Sequence, residues 1–201
     1  MKLILVEHAQ SEANARGVSQ GQKDYELTEL GFEQAKRIAL RLRSEKIDFA
    51  YSSDLSRAIA TAEEILKFHP KTKLACLKEL REQKKGFYEG KSHKILYSAL
   101  KKAGVPYYEF DFNGGETSIK VQDRMKLFYN NILNKHIDKT VLVVTHGGPM
   151  TTLLLFLLNK DFKDYKKYCP TNASISLIKI NNSKQVKTKI LNSTDHLISN
   201  I

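Results

Sequence analysis

The sequence predicts an α/β fold, a three-layer α/β/α sandwich around a mostly parallel central sheet. Three observations predict it. The apolar runs Leu3-Ile4-Leu5-Val6 and Val141-Leu142-Val143-Val144 lack helical spacing and read as strands buried on both faces. Segments with apolar residues at helical spacing alternate with such runs, the pattern of βα units. Both runs end in a histidine, as Glu7-His8 and Thr145-His146. Parallel sheets collect ligands outside the carboxyl ends of their strands, so two imidazoles delivered there can meet across one crevice.

Each element follows in turn. After the first strand comes a polar segment, residues 9–28, with turns at Gly17 and Gly21. Thr28 is placed to N-cap a helix whose apolar stripe is Phe32, Ala35, Ile38, Ala39 and Leu42. Residues 47–51 read as a short strand, and Ser52-Ser53-Asp54 as the cap of a second helix. That helix would bury Leu55, Ala58, Ile59, Ala62, Ile65 and Leu66. Residues 73–77 form another candidate strand, and residues 80–117 read as irregular, rich in glycine, aromatics and charge. Val121, Met125, Phe128 and Ile132 mark a long helix, and residues 140–145 the next strand. Gly147-Gly148-Pro149 makes a tight exit into a helix reaching about residue 158. Residues 174–180 and 185–191 read as two strands joined by an Asn181-Asn182-Ser183-Lys184 turn.

A chain of 201 residues without repeat, linker or low-complexity segment predicts one domain over residues 1–201. Its 41% hydrophobic and 27% charged residues are those of a globular protein rather than a disordered one. Cys76 and Cys169 make no disulfide framework and are expected to be buried thiols in a reducing cytoplasm. The short N-terminal run does not make a signal peptide, and no apolar stretch reaches the roughly 18 residues of a membrane span. A cytoplasmic protein without membrane contact is therefore expected. A net charge of +11 points to an anionic partner. The lysines are scattered, with neither blocks nor aromatic interleaving, which argues against nucleic acid and for a small phosphorylated substrate. No zinc-ligand spacing, GxGxxG or phosphate-loop lysine motif occurs, so neither metal nor cofactor is expected. A homodimer is left open.

Phosphoryl transfer to an imidazole needs a neutral, oriented ring nitrogen, cationic donors for the equatorial oxygens, and an acid for the leaving alkoxide. His8 fits the nucleophile. Arg57, early in the second helix, offers a planar fork matched to phosphate oxygens. His146 precedes two glycines, of which Gly147 lets the backbone turn beside a ligand. Glu82, after a strand and before a glycine-containing loop, fits the general acid. His69, His93 and His136 have polar neighbours and are expected at the surface, and His196 is expected to be structural.

These residues sit in blocks that resemble the histidine phosphatases, the phosphoglycerate mutase-like superfamily. The opening block is His8, Ser11-Glu12-Ala13-Asn14, Gln20-Gly21, Leu27-Thr28-Glu29-Leu30-Gly31 and Gln34-Ala35. Tyr51-Ser52-Ser53-Asp54-Leu55-Ser56-Arg57-Ala58 with Thr61-Ala62-Glu63 is similar to the second. Leu80-Arg81-Glu82, Gly86-Phe87-Tyr88-Glu89-Gly90, Gly114-Gly115-Glu116 and Val143-Val144-Thr145-His146-Gly147-Gly148 continue it, and Asn192 with His196-Leu197 resembles the usual ending. The resemblance implies a phosphoglycerate mutase-like fold and a metal-independent phosphatase acting through a phosphohistidine on His8. It also implies that Glu82 is the proton donor and then the base, that Arg57 and His146 bind phosphoryl oxygens, and that Asn14 and Ser11 contact phosphate or substrate. Residues 86–116 would form a substrate-lid insertion with Phe87, Tyr88, Tyr97, Tyr107, Tyr108 and Phe110. The segment is short for the insertion of a cofactor-dependent mutase.

One block departs from the pattern. The family signature is Arg-His-Gly, and this chain has Glu7-His8-Ala9. Two charges about 4 Å apart interact by about 4 kcal/mol at an effective dielectric near 20, so an acid at position 7 reverses a substantial local field. Glu7 could turn away, pair with Arg57, or accept a hydrogen bond from a basic substrate group, and Arg16 or Arg81 could supply the absent cation. The alternative is a catalytically impaired relative that binds an anionic or zwitterionic ligand or a protein.

Overall fold

Leucine, isoleucine and valine fill β1 (Lys2–Glu7) and β4 (Thr140–Thr145), and every residue of each after the first is buried. Such strands are stable only with cover on both faces, and the computed structural model, which describes residues 1–198, supplies it. Residues 199–201 of the expected domain lie outside the described residues. The six-stranded sheet has the order β3 (Leu74–Leu77), β2 (Phe49–Ser53), β4, β1, β5 (Ile175–Ile180), β6 (Val186–Ser193). The first four of these run parallel, and the β5–β6 hairpin is antiparallel at one edge.

Side-chain alternation divides the core. Ile4, Val6, Leu142 and Val144 face α2 (Glu29–Leu42) and α3 (Ser56–Leu66), where Ala35, Ile38, Leu42, Ala58, Ala62 and Ile65 meet them. Leu3, Leu5, Val141 and Val143 face α5 (Ser118–Lys135) and α6 (Gly147–Leu157), meeting Val121, Met125, Phe128, Leu153 and Leu154. Each fully buried aliphatic side chain contributes about 1.5–3 kcal/mol. Thr28 caps α2 as expected, its hydroxyl accepting from the Gly31 N–H at 3.0 Å. Among the described residues no helix is long and apolar enough to cross a membrane.

Several local expectations fail for identifiable reasons. Ser52-Ser53-Asp54 does not cap α3: Ser52 and Ser53 belong to β2, and Asp54 is held by Arg81 through contacts of 2.6 and 2.7 Å. Asp24, remote in sequence, serves instead, accepting from the Ser56 N–H at 2.9 Å and the Ser56 hydroxyl at 2.7 Å. The middle segment is not wholly irregular but contains α4 (His93–Ala103), closed by Gly104 in a left-handed conformation. His136 is not a surface residue: it is buried, stacks on Phe49 and lies 2.7 Å from the Tyr51 hydroxyl. Both Cys76 and Cys169 are exposed rather than buried, Cys76 on an edge strand and Cys169 beyond α7 (Tyr165–Tyr168). His196 is structural as expected, its Nε2 at 3.0 Å from the Ala173 carbonyl.

Candidate active site

The position of β4 beside β1 creates the site. Glu7 pairs with Thr145 in parallel register, and the His8 N–H donates to the Thr145 carbonyl at 3.0 Å. The next residue of each strand is therefore one of the two histidines. Their ring centroids lie 5.0 Å apart, with planes at 64°.

His8 is oriented by its own chain. Its Nδ1 lies 2.7 Å from the Ala9 carbonyl; a carbonyl only accepts, so Nδ1 bears the proton and Nε2 keeps its lone pair. Burial, reinforced by the Arg57 charge, lowers the His8 pKa to about 3, which keeps the ring neutral at physiological pH. His146 is likewise held well below the usual histidine range, by burial first and then by Arg57 and His8. Both His146 ring nitrogens are buried without a hydrogen-bond partner. Unpartnered buried polar atoms carry a desolvation cost that a ligand relieves.

Arg57 is 0% exposed although it is the second residue of a helix. Its terminal nitrogens donate to the Gly21 and Lys23 carbonyls, each at 3.0 Å, with Asp24 at 3.9 Å. Burial lowers its pKa to about 10, against the opposing pull of Glu82 and Asp24, so it remains a cation at neutral pH. Its Nε is buried without a partner. Glu82 approaches from the 80–85 segment, one carboxylate oxygen accepting from the Gln83 N–H at 2.6 Å and the other from the Gly148 N–H at 3.4 Å. That places an acid at the positive end of α6. A Cβ at position 148 would sit 2.4 Å from Glu82 Oε1, so any larger residue there must displace the carboxylate.

A cavity of about 580 Å³ opens over Glu82, Gly147 and Gly148 and is lined further by Asn14, Lys85, Tyr107 and Tyr165. Among the expected binding residues, Asn14 and Gly147 reach it. Ser11 does not line it: Ser11 is the buried N-cap of α1 (Glu12–Ala15), in a capping box with Asn14 and 2.8 Å from Gln20 Oε1. Arg16 and Arg81 do not replace the absent arginine. Arg16 is exposed beside Glu12 at 3.4 Å, and Arg81 is committed to Asp54. Glu7 is buried beside the site and forms no ion pair with Arg57.

Sequence reasoning missed Lys85. Its ammonium is buried, donates to Gln83 Oε1 at 2.6 Å and to the Tyr107 hydroxyl, and lies 4.3 and 4.7 Å from the Phe112 and Tyr107 ring centres. Burial pulls its pKa down to about 8. His93, expected at the surface, is half-buried and lines the same cavity. No signal in the sequence separates Lys85 from its exposed neighbour Lys84; its burial depends on aromatics that arrive from residues 107–112.

The chain matches the family model of the histidine phosphatase superfamily, branch 1, over residues 3–193. It belongs to that family. Phosphoserine phosphatase 1 of Hydrogenobacter thermophilus is 35% identical over 98% of this chain and 94% of its own length. A metal-independent phosphoserine phosphatase of Arabidopsis thaliana is 32% identical over 77% of this chain and 67% of its own. The crystal structure of a phosphoserine phosphatase mutant from Entamoeba histolytica in complex with phosphoserine superposes with a TM-score of 0.82 at 26% identity, covering 98% of each chain. This histidine phosphatase has the phosphoglycerate mutase-like α/β fold, and its enzymatic class is phosphatase.

Proposed function

We propose that this histidine phosphatase hydrolyses a small phosphate monoester without a metal, by way of a phosphohistidine on His8, and that phosphoserine represents its substrate class. The observation that supports this most is the free Nε2 of His8, fixed by the Nδ1–Ala9 contact and facing an unpartnered His146. In the first step the Nε2 lone pair bonds to phosphorus as the phosphorus–alkoxide bond breaks, and the Glu82 carboxyl protonates the leaving oxygen. Arg57 and His146 hold the equatorial oxygens, and the Ala9 carbonyl stabilises the charge that develops on Nδ1–H. In the second step the Glu82 carboxylate takes a proton from water, the water oxygen bonds to phosphorus, and the nitrogen–phosphorus electron pair returns to His8. Asn14 contacts substrate at the rim. The Lys85 ammonium, one of the cavity's lining groups, suits a leaving group with its own carboxylate.

The test is turnover of phosphoserine and of an aryl phosphate with EDTA present, together with acid quenching to trap phosphate on the protein. His8→Ala should lose at least about a thousandfold in kcat/KM and all acid-labile label. Absence of wild-type turnover on a panel of phosphate monoesters would reject the reading. The position of Glu7 favours the second reading, an anion-binding relative without turnover; Glu7→Arg would then create activity.

A further inference from the structure

Glu7 takes no part in the reaction sketched above, yet it stands one residue before His8 and is 8% exposed. Its N–H is tied to the Ser174 carbonyl at 3.1 Å, and alternation along β1 turns its side chain to the face of Leu3 and Leu5, under α6. Oε2 is buried without a hydrogen-bond partner. Oε1 would lie 3.4 Å from a Cβ at Gly147, a point that Glu82 Oε2 approaches to 3.9 Å. Two carboxyl groups thus flank the start of α6.

No cation compensates the first of them. Arg57 is bound to the Gly21 and Lys23 carbonyls, Arg81 to Asp54, Arg124 to Glu116, and Lys85 to Gln83 and Tyr107. Among the described residues Glu7 has no ion pair. A buried carboxylate facing a second carboxylate without a counter-ion is strongly disfavoured against its neutral form. In agreement, burial and then Glu82 raise the Glu7 pKa well above the carboxylate range. A neutral carboxyl group carries an O–H donor, and the group nearest in sequence to it is the His8 nucleophile.

We propose that Glu7 serves as a protonated carboxylic acid whose O–H donates to an oxygen of the bound tetrahedral anion, a neutral donor where the family signature has arginine. The proposal rests on the reading of His8, Arg57 and His146 as an anion pocket. It gives the pocket a property that a guanidinium does not: the donor exists only while Glu7 holds its proton, so anion binding is coupled to one proton. Above the pH at which Glu7 ionises, a donor becomes a repelling charge.

Glu82 and Cys169 act electrostatically on Glu7, and the other titratable groups of the site are the two histidines, Arg57, Lys85 and Tyr165. The depressed histidines stay neutral between pH 5.5 and 8.5, Arg57 stays charged, and the raised Cys169 and Tyr165 stay protonated. Lys85, lowered to about 8, loses charge within this range, but does so equally in variants at position 7. The experiment is calorimetric titration with sulfate, whose charge is constant over this range, for the full-length wild type, Glu7→Gln and Glu7→Ala. In the wild type the association constant should fall by up to about tenfold per pH unit once Glu7 ionises. Glu7→Gln, an N–H donor that cannot ionise, should lack that part of the fall and bind sulfate more tightly than wild type at every pH where Glu7 is ionised. Glu7→Ala should bind more weakly than Glu7→Gln at every pH. Equal slopes in wild type and Glu7→Gln, or equal affinities in the Gln and Ala variants, would overturn the proposal. Sulfate binding to none of the three would overturn both the anion pocket and the proposal. Absent turnover with the expected sulfate slopes would reject only the catalytic reading, and if Glu7→Ala fails to fold, the wild-type and Gln slopes decide.

Discussion

The floor and the rim of this active site are built from different material. The proposed floor residues His8, Arg57 and His146 lie beneath the cavity's lining rather than in it; they are 3%, 0% and 0% exposed, and each lies at a strand end or a helix start rooted in the core. The rim, from Lys85 to Glu116, consists of short turns and α4, a helix with Leu96 as its one buried residue. The contrast teaches where chemistry and selectivity reside. Under the proposed mechanism the groups assigned to the phosphoryl group are fixed by the packing that stabilises the sheet, whereas those assigned to the leaving group sit on short turns and a helix that buries little of its own surface.

The sharpest way to break this division is at the junction of the two regions. Gly148→Ala places a Cβ 2.4 Å from Glu82 Oε1 and must displace the carboxylate, while alanine is otherwise compatible with a helix. A loss of about 10–100-fold in kcat is expected with an unchanged circular dichroism spectrum; wild-type kcat would show that Glu82 does no proton transfer. A smaller and more selective effect is expected at the rim. Lys85→Met should raise KM for phosphoserine by about tenfold, the worth of a lost charged contact, while leaving an aryl phosphate, whose leaving group carries no carboxylate, nearly unaffected. Equal effects on both substrates would move Lys85 from the leaving group to the floor.

The smallest expected effect separates the regions by stability. His8 binds its proton less well folded, at about 3, than unfolded, near the ordinary histidine value of 6.5. The unfolded chain therefore binds more protons in this window, and the stabilising preference for neutral His8 is lost as pH falls from 6.5 towards 3. Thermal melting should show a fall in Tm from pH 7 to 4 that is a few degrees shallower in His8→Asn. Identical profiles would mean that the ring is solvated in the folded protein.

The elements of the floor were legible because their signals are local. The strand-end histidines, the stripe of α2 and the Thr28 cap can each be recognised within a short window of sequence. What escaped reading depends on contacts between distant segments. The α3 cap comes from Asp24, across a separation that no window spans. His136 looks solvated among Lys135, Asp138 and Lys139, yet Phe49 and Tyr51 of β2 cover it. Lys85 is buried by Tyr107 and Phe112, and α4 was hidden because a helix with one buried side chain leaves little apolar periodicity. The resemblance to the histidine phosphatases named the floor residues; it said nothing of the cation at the rim.

The insertion of β4 between β2 and β1 has a consequence for how the protein is made. Until the ribosome has delivered residues 140–145, the two earlier strands have no bridge between them, and each presents an open line of amide and carbonyl groups. Such edges invite pairing with other chains, and closing them requires a contact between the two ends of a long loop, which slows folding. The strand that joins β2 to β1 also delivers the second imidazole, so a product truncated before it would lack both the wedge and His146.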